Sequence, residues 1–123
     1  MSKIIEAINV MISNQDKIDL ALQGVYEAEV FFRYAGKHKW SIIKNTSDEI
    51  YLHYYPGNVD VEELATWPHE AWHDFNGMVS YNSRDLGTKE AKDSLSELYT
   101  IVREKVFGMD QVLDDIIRSD VNW

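Results

Sequence analysis

Apolar residues recur along this chain with two different periods, and the switches between them divide it into elements. Ile4, Ile8 and Met11/Ile12 fall at helical spacing over residues 3 to 12. Ile18 and Leu22 repeat that spacing after the polar stretch Ser13-Asn14-Gln15-Asp16. The pattern predicts one broken helix or two short ones, with Asp16 capping the second and Gly24 stopping it. From Val25 the period drops to two. Tyr26, Ala28, Val30, Phe32 and Tyr34 alternate with Glu27, Glu29, Phe31 and Arg33, the pattern of a half-buried strand.

Ala35 to His38 reads as a turn, Trp40, Ile42 and Ile43 as part of a second strand, and Ile50 to Tyr55 as a third, ended by Pro56-Gly57-Asn58. Short connections make these three strands an antiparallel meander. Met78 to Tyr81 is either a fourth short strand or an extended connection. Asp60 and Glu63 form a capping-box pair that starts a helical region closed by Gly77. Thr88 caps the longest helix, whose inner face carries Ala91, Leu95, Leu98, Ile101/Val102 and Val106, with Gly108 at its end. Asp110 is the predicted cap of a last helix with Val112, Leu113, Ile116 and Ile117 on its apolar side. The expectation is a single α+β domain over residues 1–123. It has a three- to four-stranded antiparallel meander with helices from both ends of the chain packed on it.

Composition narrows what such a domain does. A chain of 123 residues can bury roughly two-thirds of its unfolded surface, enough for one core without covalent staples. No cysteine is present, so any metal site has to be built from His and carboxylates. The apolar run after Met1 is interrupted by Glu6 and Asn9 and lacks a small-residue cleavage site, and no segment reaches the about 18 apolar residues of a membrane span. A cytoplasmic location is the expectation. The formal charge of -9 is unevenly placed: residues 1–56 hold six basic and seven acidic side chains, residues 57–123 six basic and fourteen acidic ones. A field of that sign repels phosphate backbones and anionic headgroups, which argues against nucleic-acid and membrane binding and favours a basic protein partner.

One motif carries catalytic chemistry. Residues 69–73 read His-Glu-Ala-Trp-His, which is H-E-x-x-H. On a helix the two imidazoles at i and i+4 project from one face and can share a zinc ion, while the intervening Glu reaches a metal-bound water. The motif resembles that of the glutamate-type zincin metallopeptidases. The resemblance implies zinc as cofactor, His69 and His73 as ligands, Glu70 as general base and Glu97 as third ligand. The flanking residues argue the other way. Pro68 suits a first helical position, which puts His69 in the first turn, where the positive end of the helix dipole opposes a divalent cation. Gly77 follows His73 by four residues and leaves a short stub. Leu64, Pro68, Ala71/Trp72 and Phe75 make an apolar stripe that places both histidines and Glu70 on the solvated side.

Two further features remain. Glu90, Asp93, Glu97 and Glu104 align on one face of the longest helix, and Asp110, Asp114 and Asp115 extend the charge. The meander is dense in aromatics, and alternation puts Phe31 with Glu27, Glu29 and Arg33 on one face, and Tyr51, His53 and Tyr55 opposite Ile50, Leu52 and Tyr54. One sheet face is therefore expected to be amphipathic and open to contact. Together these favour a small acidic, non-enzymatic protein that binds a basic protein partner through Glu90, Asp93, Glu97 and Glu104, without cofactor. Its composition is similar to that of inhibitor and immunity proteins that neutralise basic nucleases. A minimal zinc metallopeptidase is the alternative.

Overall fold

In the computed structural model, which describes residues 2–26, 28–67 and 77–120, the chain begins with helix α1 (Lys3–Ser13), capped by Ser2, whose hydroxyl accepts from the Ile5 amide. A 3₁₀ turn (Gln15–Lys17) leads into β1 (Ile18–Gln23), and β2 (Glu29–Tyr34), β3 (His38–Lys44) and β4 (Ile50–Tyr54) follow. Then come the short α2 (Val61–Leu64), β5 (Val79–Asn82), the one-turn α3 (Ser83–Leu86), the long α4 (Lys89–Val106) and α5 (Met109–Ser119). The five strands form one antiparallel sheet in the order β1-β2-β3-β4-β5. The α+β class and the meander stand as expected, while the sheet has five strands rather than three or four.

The added strands have different origins. β5 is the short strand left open at Met78 to Tyr81. β1 replaces the expected second helix, and Asp16 lies in the 3₁₀ turn instead of capping it. Ile18, Leu20 and Leu22 fit a period of two as well as Ile18 and Leu22 fit a helical turn, and the neighbouring β2 decides between them by pairing. The register slips between Ile18 and Leu20, a bulge that sends Ile18 and Ala21 to one face and Leu20 and Leu22 to the other. Asp19 pins it by accepting from Arg33 Nη2 at 2.6 Å and from the Gly36 amide at 3.2 Å. Gly24 is a strand end, where its missing side chain admits the Phe31 ring.

Both faces of the sheet bury apolar side chains. On the first, Val30, Phe32, Trp40, Ile42, Ile50 and Leu52 meet Ile8 and Met11 of α1 and Leu95, Leu98 and Val102 of α4. Ser94 of α4 donates to Asn9 of α1 at 2.8 Å and ties the two helices together. On the second face Phe31, Tyr55, Val61, Leu64 and Ala65 form a smaller core under α2, with Trp67 and Met78 packed against it. Phe31 and Tyr55 are 1 % and 2 % exposed and their rings stack at 5.9 Å. That half of the sheet is thus covered, contrary to the open aromatic face expected from alternation, because α2 folds back over β2.

Thr88 caps α4 by accepting from the Ala91 amide at 3.0 Å, as expected. The last helix starts differently. Gly108, with φ of 61°, makes the left-handed turn between α4 and α5, so Asp110 lies inside the first turn of α5 rather than at its cap.

Candidate interaction surface

The 18 residues of α4 separate into two faces. Ala91, Leu95, Leu98 and Val102 are fully buried against the sheet. Glu90, Asp93, Glu97 and Glu104 are all exposed on the outside, and none forms an ion pair with a described residue. Arg103, a neighbouring cation, is turned toward Tyr99: it donates to Tyr99 Oη at 3.4 Å and sits 5.6 Å from the ring centroid. The structure therefore aligns the four predicted residues as a row of exposed carboxylates without an ion pair among the described residues, with Lys89, Lys92 and Lys105 as the other cations of the helix.

Glu104 carries that row into a groove of about 540 Å³ between the C-terminal end of α4, the 3₁₀ turn and α5. Asp16, Glu104, Asp110 and Asp114 line it with only Lys105 as a cation, and Ile101, Met109 and Leu113 supply its apolar lining. Every residue from 110 to 120 is exposed. Successive residues of an α-helix are turned by about 100°, so Met109, Val112, Leu113, Ile116 and Ile117 share one arc of α5. Asp110 and Asp114 flank one side of that arc and Asp115 the other. The exposures are 41 % for Val112, 47 % for Leu113, 61 % for Ile116 and 67 % for Ile117, with Phe107 at 60 %. Leaving five such side chains this far in water forgoes on the order of 5 kcal/mol of burial. Periodicity assigns Val112, Leu113, Ile116 and Ile117 to an apolar side but not its neighbour, so the high exposure of that side among the described residues is a finding of the fold alone.

The sheet holds a second polar arrangement, on the α2 side. Ser41, fully buried in the middle of β3, donates to Glu29 Oε2 at 2.9 Å, and its oxygen lies 2.8 Å from Tyr55 Oη. With Glu29 ionised, the hydroxyl protons run from Tyr55 to Ser41 to the carboxylate. Burial raises the pKa of Glu29, opposed by the Ser41 hydrogen bond, and burial likewise raises that of Tyr55. His53 pairs with Ser41 across the strands and shares a 2.7 Å hydrogen bond with Ser80, while burial lowers its pKa. His38 shares a 3.4 Å hydrogen bond with Tyr54. The cations near this face are engaged: Arg33 with Asp19 and Asp60, and Lys39 with the carbonyls of Gly57 and Val59.

His69, Glu70 and His73 lie outside the described residues. Trp67 and Met78, which bracket their segment, pack on the second face of the sheet, whereas Glu97 is exposed on α4 over the first. Among the described residues no three His, Asp or Glu side chains gather as a metal site, and no described helix is long and apolar enough to cross a membrane. No protein-family model matches this chain, and comparison with curated proteins and with solved structures likewise finds no match.

Proposed function

We propose that this protein acts without catalysis, by binding a basic protein partner through its acidic C-terminal helices, in the manner of an inhibitor or immunity protein. The observation that carries the reading is the row Glu90, Asp93, Glu97 and Glu104: four exposed carboxylates on one helix face, unpaired among the described residues and continued by Asp16, Asp110 and Asp114 in the adjoining groove. A predominantly acidic surface of this kind accelerates encounter with an oppositely charged partner and orients it before contact.

The test is a charge-reversal comparison. Glu90→Lys/Asp93→Lys/Glu97→Lys alters only exposed positions of α4 and should keep the far-UV circular dichroism of the parent. Glu62→Lys/Glu63→Lys on the exposed side of α2 serves as a charge control. Basic proteins retained from the native host at low ionic strength, and released by salt, should be lost from the α4 variant and kept by the α2 variant. Equal retention by all three proteins would remove the acidic row from the mechanism.

A further inference from the structure

We infer that α5 is a docking helix, and that its occupant is a cationic amphipathic helix of the partner, one with an apolar stripe flanked by Lys or Arg. The sign of the partner's charge rests on the reading above; the docking element and the shape of what it takes go beyond that reading. The outer part of the apolar arc of α5 is largely uncovered by described residues, with Ile116 and Ile117 61 % and 67 % exposed, while Met109 and Leu113 line the groove at its inner end. Carboxylates flank it on both sides, Asp110 and Asp114 on one and Asp115 on the other, and Arg118 is drawn to Asp115 at 3.2 Å. A helix laid along the arc would bury leucine-like side chains on Leu113, Ile116 and Ile117 and set its flanking cations against the aspartates, the helix-in-groove mode of recognition.

Charge complementarity selects this occupant over two others. A second copy would bring the same three aspartates to each side of a shared seam, between chains that each carry -9. Membrane-surface helices flank their apolar face with Lys and Arg, where α5 has aspartates that an anionic bilayer repels.

The probes are two helix-forming peptides with identical leucine stripes on an alanine background, one with lysine at the flanking positions and one with glutamate. Binding to the full chain is read by fluorescence anisotropy of labelled peptide. The lysine peptide should bind at least about tenfold more tightly than the glutamate peptide, and Ile116→Ser/Ile117→Ser should weaken it by about tenfold or more while leaving the circular dichroism unchanged. Absence of lysine-peptide binding, equal binding of both peptides, or binding indifferent to Ile116→Ser/Ile117→Ser would overturn the inference. If binding ignores α5 yet is lost in Glu90→Lys/Asp93→Lys/Glu97→Lys, docking on α5 fails while the acidic-surface reading stands. A concentration-dependent dimer in analytical ultracentrifugation that Ile116→Ser/Ile117→Ser abolishes would identify a second copy as the occupant instead. Co-sedimentation with phosphatidylglycerol/phosphatidylcholine vesicles would identify a membrane. Either result overturns the inference.

Discussion

Replacing Ser41 with alanine deletes one oxygen from the middle of the sheet and breaks the link between Tyr55 and Glu29. Ser41 is 0 % exposed, so water cannot take the place of its hydroxyl. The bond it donates ends on a carboxylate, the stronger kind, which contributes about 1.5–3 kcal/mol. We expect Ser41→Ala to lower stability by about 2–3 kcal/mol at neutral pH and the melting temperature by about 8–12 °C for a chain of this size. The pH dependence is the sharper signature. Glu29 has a raised folded-state pKa, so its contribution is fully present below the ordinary glutamate value and is lost as pH rises through the raised one. Ser41 holds that rise in check. Without it the folded-state pKa climbs further, and the cost of Ser41→Ala should grow from acidic to neutral pH. Urea unfolding followed by circular dichroism and tryptophan fluorescence, repeated across that range, measures both. Glu29→Gln should be neutral or stabilising at pH 7, and Ser41→Ala should cost less in its presence than in the parent. A Ser41→Ala cost under about 0.5 kcal/mol at neutral pH, or one independent of pH, would show that the buried chain does not hold the sheet as described.

Other consequences are open to direct measurement. Gly24→Ala places a Cβ 2.9 Å from Phe31 Cε1 and 3.3 Å from the Glu29 carbonyl. Phe31 is too buried to yield, so a loss of about 1–3 kcal/mol in urea unfolding is expected, and an unchanged midpoint would refute the packing. Asp19, held below its ordinary pKa chiefly by the Arg33 hydrogen bond, lends stability above its unfolded pKa that is lost as pH falls through the folded one. Asp19→Asn should cost under about 1 kcal/mol at neutral pH for so exposed a pair, with the cost disappearing in acid. A chain ended after Gly108 should keep its circular dichroism and lose under about 1 kcal/mol, since α5 contributes no buried residue; cooperative unfolding at a much lower urea concentration would contradict that. Protein purified without chelators or an affinity tag should hold far less than one equivalent of zinc. Near-stoichiometric zinc that disappears in His69→Ala/His73→Ala would replace the binding reading with the peptidase one.

Legibility in the sequence followed the length and local character of each pattern. α4 could be read because its apolar stripe runs for five turns with a capping threonine, and no other period fits it. β1 could not, since its six residues satisfy two periods and only pairing with β2 chooses between them. The acidic row was legible because helical spacing alone aligns it. Its continuation into the groove was not, because Asp16 joins Glu104 and Asp110 only when the 3₁₀ turn is brought beside the end of α4. Ser41 looks like one polar residue in an apolar strand, and its link to Glu29 and Tyr55 depends on a register that no short-range pattern encodes.

The turn at Gly108 gives α5 the mechanics of a lever. One residue with φ of 61° and, its chain neighbours aside, no described atom within 4 Å of where its Cβ would stand joins the two helices. An 11-residue helix is about 16 Å long, so a 20° change at that residue swings its far end by about 6 Å. Leu113, near the pivot and inside the groove, would move only a fraction of that distance, while Ile116 and Ile117 would sweep most of it. A small rotation at Gly108 would thus re-aim the outer end of the apolar arc while leaving its inner end beside the groove.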